Sequence, residues 1–254
     1  MATTQPSSAN VNFDNLEIAF SGKTDGDLTR AYWLFKAINS NFLVKNGPGF
    51  LDFAMALRLP VLPVVRATIF KHFCGGEDIN DCNKTVQALY RSKIGSVLDY
   101  SVEGEENEDN FEHTTTEIIN TVTRAKGDAA TPFCVFKVTG IARFNLLEKA
   151  SASSLTDAKD IADFKKVHDR IHRICNHAAT NNVRIFIDAE ESWIQPAIDA
   201  LADEMMALFN KQNAIVYNTV QLYRTDRLDF LKMSHQKAKN AQYKLGLKLV
   251  RGAY

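Results

Sequence analysis

From Ile94 onward the chain alternates short runs rich in β-branched and aromatic residues with longer amphipathic stretches, the pattern that repeated βα units around a parallel sheet produce. The strand-like runs cover residues 94–102, 133–139, 183–188, 214–222 and 247–251. Helices fill the gaps. Ile161, Phe164, Val167, Ile171, Ile174 and Ala178 recur at three-and-four spacing, as do Ile194, Ala197, Ile198, Leu201, Met205 and Leu208. Strand starts at 94, 133, 183, 214 and 247 lie 39, 50, 31 and 33 residues apart. A (β/α)8 barrel spends about 31 residues per unit, so these intervals predict a barrel of that type with insertions in its early units.

Only five βα units are expected, because the sequence stops at Tyr254 directly after the fifth run. A closed barrel has no unpaired edges, and completing this one needs about 90 further residues. The expected organisation is therefore a helical arm over residues 1–93 and a partial barrel catalytic domain over 94–254. In the arm, Leu28, Tyr32, Phe35, Ile38 and Phe42 recur at helical spacing, and Asn80 is placed to cap a helix carrying Val86, Leu89 and Tyr90.

Composition excludes several classes. Thirty basic and thirty acidic residues give a formal net charge of zero, so there is no electrostatic footprint for nucleic acid. Charge does vary locally, with seven acids and no base over 99–112 and eight bases against two acids over 224–251, both read as solvated faces. The first residues carry neither a signal-peptide nor a transit-peptide pattern, which predicts a cytoplasmic location. Asp52, Arg58, Pro60, Pro63 and Arg66 interrupt the longest apolar stretch, which rules out a spanning helix there and leaves peripheral membrane contact open. Cys74, Cys82, Cys134 and Cys175 form no CxxC pair and are read as buried thiols.

Functional side chains of a parallel barrel sit where its strands end. The candidates are Lys137 in FCVFKVTG, Asp188 with Glu190 and Glu191 in IFIDAEES, Gln221 in VYNTVQLY, and Lys248 with Arg251 in LKLVRGAY. A lysine inside a central strand is costly to bury without a partner, and Asp188 on the next run is placed to supply one. An ion pair that only ties two strands together is the alternative. Gly252 and Ala253 would let backbone approach a ligand closely. Glycine-rich nucleotide signatures and a serine nucleophile elbow are both absent. His168 and His172, with Cys175 and His177 nearby, have ligand-like spacing but lie in the helix before the third strand, so no metal site is assigned.

In order and spacing, SVLDYSVEGE, FKVTG, FIDAEES, NTVQLY and KLVRGAY resemble the proline dehydrogenase family over roughly residues 90–254. The resemblance implies a distorted (β/α)8 barrel holding FAD without a covalent bond, and oxidation of L-proline to 1-pyrroline-5-carboxylate. Hydride would pass to the flavin, with reoxidation by a quinone and transient contact with the inner membrane. By the same resemblance Lys137 matches a lysine that holds the substrate carboxylate, Asp188 an active-site aspartate, and Gln221 a residue near the flavin ring. Lys248 matches a basic residue at the flavin N5 edge, where many bacterial members have arginine. Arg251, Gly252 and Ala253 match the cofactor-binding segment, and Tyr254 a tyrosine lining the proline pocket. The family's paired arginines on a final helix lie beyond this sequence. Two other readings stand beside this one: a barrel enzyme using Lys137 to form a Schiff base, and a catalytically incomplete fragment lacking the substrate-binding helix.

Overall fold

A computed structural model describes residues 12–100 and 106–252. The chain divides into two compact units at the Ser92/Lys93 boundary.

The first unit is helical: α1 (Leu16–Phe20), α2 (Asp25–Ile38), α3 (Asn41–Ala56), α4 (Val61–Val65), a π-turn (Arg66–Phe70), α5 (Lys71–Phe73) and α6 (Ile79–Arg91). Thr24 and Asp27 form a reciprocal capping box at the start of α2. The spaced apolar set read as one helix is split by Asn39 and Ser40, and Ser40 caps α3. Its members Tyr32, Phe35, Ile38 and Phe42 are exposed. Asp78 caps α6 through the amides of Asn80 and Asp81, in place of the Asn80 cap read from sequence. An aspartate placed before the first helical residue meets those amides, whereas Asn80 already lies in the first turn.

In the second unit the strands are β1 (Val97–Asp99), β2 (Phe133–Phe136), β3 (Arg184–Ile187), β4 (Val216–Gln221) and β5 (Leu247–Val250). Each pairs in parallel with its neighbour, in the order β1-β2-β3-β4-β5. The connections carry α7 (Glu108–Ala125), α8 (Phe144–Ser151) with α9 (Ala158–Asn181), α10 (Gln195–Phe209) and α11 (Arg227–Asn240). Parallel strands added consecutively, each joined to the next through a helical connection, show the winding of a barrel rather than of a doubly wound sheet. The strands are shorter than the sequence runs, since the residues after β2 turn into a 3-10 segment, Val138–Gly140.

Alternation along the strands assigns the faces. Cys134, Phe136, Ile185, Ile187 and Val216 join Ile118, Val122, Ile171, Ile174, Ile198 and Met205 of the helices in one core. Phe133, Val135, Phe186, Tyr217 and Thr219 therefore point to the opposite face, away from α7, α9 and α10. Gly246 lets β5 close on β4, because a Cβ there would stand 2.4 Å from the Val216 carbonyl oxygen. Of the cysteines, Cys134 and Cys175 are buried as expected, whereas Cys74 is exposed and Cys82 half-buried on the helical unit. Burial pushes the Cys134 thiol up to about 12, which keeps it protonated and inert.

Candidate active site

The sheet face opposite this core carries an aromatic floor under a polar layer. Phe133 and Phe186 stack with centroids 4.4 Å apart, and Tyr217 meets both edge-on. Arg184 lies over Phe133, and the Lys248 ammonium lies 5.2 Å from the Phe186 centroid.

Two residues further along the same strands, register builds the polar layer. Ile187 is paired with Asn218, and Thr219 with Lys248. The Asp188 amide donates to the Phe136 carbonyl at 2.9 Å, so the ladder continues past the ends of β2 and β3. Lys137 keeps an extended backbone (φ −102°, ψ 140°) and is half-buried. Alternation thus brings Lys137, Asp188, Thr219 and Lys248 to one level of the same face, at the carboxyl end of the sheet.

Within that layer Lys248 Nζ donates to Asp188 Oδ1 at 2.8 Å. Lys137 of the neighbouring strand stands level with Asp188, as sequence reasoning expects, and Asp188 also takes an ion pair from Lys248 on β5. A lysine stem is long enough to pass over β4, and Phe186 supports the ammonium there. Lys248 therefore lies across Thr219, its register partner. The Thr219 hydroxyl is buried and makes no hydrogen bond.

Glu190 joins three strand ends. Its carboxylate accepts from the Thr139 amide at 3.1 Å and from the Thr139 hydroxyl, its carbonyl accepts from Gln221 Nε2 at 2.9 Å, and its amide donates to Gln195 Oε1 at 2.9 Å. Burial raises the Glu190 carboxyl above the usual carboxylate range, with the bonds from Thr139 opposing it. Behind the sheet Asp199 accepts from Gln195 Nε2, Asn218 Nδ2 and Arg227 Nη1 at 2.9, 2.9 and 3.0 Å. This relay runs from the loop after β3 through α10 to α11, and the sequence reading missed it. Its available signal was the polar pair Gln195 and Asp199, four apart on a helix flanked by Ile194 and Ile198.

The remaining expectations fall as follows. Gln221 closes β4 and is buried. Arg251 is exposed just beyond β5, and Gly252 follows at φ 80°, in the left-handed region that glycine tolerates. Ala253 and Tyr254 lie outside the described residues. His168 pairs with Glu204, His177 with Thr123, and His172 packs on Phe209, so these rings serve separate contacts. The charged runs are more than solvated faces: Arg170 is buried between Glu108 and Glu112, and Arg227 is buried against Asp199.

The layer fits a flat ring with a polar edge. It offers a cation, a carboxylate and a buried hydroxyl lacking a partner beside an aromatic floor, and a glycine backbone in the left-handed region follows the end of β5.

A family model described as proline dehydrogenase matches residues 82–254. The chain belongs to the proline dehydrogenase family. This membership carries general flavin dependence and does not favour the Schiff-base alternative. Among similar proteins, the carbapenem antibiotics biosynthesis protein CarD of Pectobacterium carotovorum is 32% identical over 72% of this chain and 48% of its own. A mitochondrial proline dehydrogenase 1 of Dictyostelium discoideum is 26% identical over 98% of this chain and 51% of its own, and one of Arabidopsis thaliana is 30% identical over 79% and 48%. The chain spans about half the length of these curated relatives. The proline utilization A structure from Bdellovibrio bacteriovorus superposes with a TM-score of 0.61 at 18% identity, covering 93% of this chain and 25% of its own, and so shares the fold. The expectation of a cytoplasmic location is overturned by relatives from Dictyostelium, Arabidopsis and Schizosaccharomyces whose names place them in mitochondria. The sequence sign used for it was the missing transit pattern, which says nothing about a location that relatives share.

Proposed function

We propose that the protein carrying this chain is a proline dehydrogenase that oxidises L-proline to 1-pyrroline-5-carboxylate, with FAD as its flavin. The observation that carries the reading is the layer of Lys137, Asp188 and Lys248 at the carboxyl end of a sheet lying within the 173-residue family match, 82–254. Lys248, Gln221, Arg251, Gly252 and Ala253 are the residues proposed to hold the cofactor. Bound there, FAD supplies the two-electron acceptor that oxidation of a C–N bond to an imine requires.

Lys137 is proposed to orient the substrate carboxylate, so that the ring carbon next to nitrogen faces the acceptor. Lys248 places positive charge where negative charge accumulates during hydride transfer, and Asp188 fixes its position from the opposite strand. Gln221 is held by the Glu190 carbonyl, so its position is set by the backbone of the loop after β3. Tyr254 is assigned to the wall of the proline pocket, excluding water. The overall change removes a hydride from carbon and a proton from nitrogen.

A quinone is the proposed final electron acceptor, reached through peripheral contact with a membrane. Exposed Phe50, Phe53, Leu57 and Leu62 on the helical unit support that contact, and no helix among the described residues is long and apolar enough to cross a bilayer.

The test uses purified full-length protein. A bound flavin and proline-dependent dye reduction are expected. Lys137→Ala should weaken proline use and inhibition by carboxylate-bearing proline analogues together, by about 2–5 kcal/mol, with flavin content retained. Full-length protein that binds no flavin and reduces no dye with proline would overturn the reading.

A further inference from the structure

Thr219 is a small side chain in an expensive position. It is 2% exposed, and its hydroxyl has no hydrogen-bond partner. Buried hydroxyls are nearly always paired, since leaving one unmade costs more than an average bond returns. Sheet geometry explains both the burial and its location. Thr219 stands directly beside Lys248 on β5, and Lys248 reaches past it to Asp188 on β3. The hydroxyl therefore lies under the lysine stem, on the face opposite the core helices, between the Lys248 and Asp188 strands of the candidate site. A threonine used only for packing would be served as well by valine, which has the same shape, higher β-propensity and no hydroxyl to satisfy.

We propose that Thr219 is a cofactor-binding residue: its hydroxyl donates a hydrogen bond to an acceptor atom of the flavin ring system held against the Lys248–Asp188 pair. The inference rests on the flavin reading above and adds a ligand-contacting residue to it. The hydroxyl is left unpaired without a ligand and becomes paired with one, so its stabilisation belongs to the complex alone. That gives Thr219 opposite effects on the two states. Removing the hydroxyl relieves the flavin-free protein and weakens the flavin-bound one.

The experiment compares full-length wild type, Thr219→Val and Thr219→Ser, each stripped of flavin and titrated with FAD, following flavin fluorescence and thermal unfolding. For Thr219→Val the flavin-free midpoint should stay level or rise by about 1–4 °C, while the FAD dissociation constant rises roughly three- to tenfold. Thr219→Ser keeps the hydroxyl and loses a buried methyl. It should bind FAD nearly as wild type does while its flavin-free midpoint falls. Unchanged FAD affinity in Thr219→Val, with wild type binding normally, would overturn the role of Thr219 and leave the flavin reading intact. A Thr219→Val protein with a lowered flavin-free midpoint and wild-type affinity would likewise overturn it, showing a hydroxyl satisfied inside the protein. Wild type that takes up no FAD would overturn the flavin reading and this inference with it.

Discussion

Between Asn12 and Ser92 one side chain, Val86, is buried, whereas in the second unit a continuous core runs from Ile118 to Tyr243. Apolar content does not explain the difference. Helix α3 reads NFLVKNGPGFLDFAMA and buries nothing, while the far more polar α7, EDNFEHTTTEIINTVTRA, buries Phe111, Thr114, Thr115, Ile118, Thr121, Val122 and Ala125. What α7 has is a sheet to lie on. A strand pair offers a broad surface fixed in register, and a helix laid along it buries small and β-branched side chains as readily as large ones. Among the described residues the helices of the first unit pack on no such surface, and their large apolar groups are exposed.

The contrast is sharpest in a pair of truncations. Phe136→Ala, at a fully buried ring, should cost about 3–5 kcal/mol, whereas Phe50→Ala, at an exposed one, should stay within about 0.5 kcal/mol. Denaturant unfolding of both variants checks this, and equal losses would show that the helical unit has a core of its own. Asp199→Ala removes the acceptor shared by Gln195, Asn218 and Arg227 and leaves Arg227 buried beside Asp226 alone. The loss expected is about 3–5 kcal/mol, with no counterpart among the exposed ion pairs of the first unit such as Arg66 with Glu77.

Caps should erase the difference, because a cap acts on its own helix. Asp157→Ala at α9 and Thr24→Ala at α2 should each cost about 1 kcal/mol, measured by thermal unfolding. The smallest effect expected is at His168. Its hydrogen bond to Glu204 raises its pKa above the ordinary 6.5, against the opposing effect of burial. The folded state therefore binds the proton more tightly. The resulting stabilisation is complete below pH 6.5 and is lost as pH rises through the raised value. It should amount to no more than about 1 kcal/mol for a pair this exposed, and Glu204→Gln should flatten that part of the stability profile.

The barrel class was legible because each buried strand announces itself twice, in a run such as IFID and in the amphipathic helix that follows. Lys137, Asp188, Gln221 and Lys248 were legible because strand carboxyl ends can be read from where such runs close. Register was not legible. The offset between strands decides which residues stand level: adjacent Lys137 does stand level with Asp188, but the arrival of Lys248 from across an intervening strand could not be read from sequence. Thr219 was hidden for the same reason, since a threonine in a strand looks like ordinary β composition until its neighbours are known. In the helical unit the spacing of Tyr32, Phe35 and Ile38 correctly marked helix, but periodicity records only that a face exists and not that anything covers it.

The order of the sheet also bears on how the molecule comes into being. Because every strand pairs with the one immediately before it in the chain, each new βα segment leaving the ribosome finds the edge it needs already laid down. Among the described strands none has to wait for a distant partner, and loop closure between them is confined to the span of one crossover. Assembly can therefore proceed by accretion from β1 towards β5, with Asp188 in place before Lys248 is synthesised. The lysine arrives at a carboxylate that is already waiting, and the candidate site is wired in the order in which it is translated.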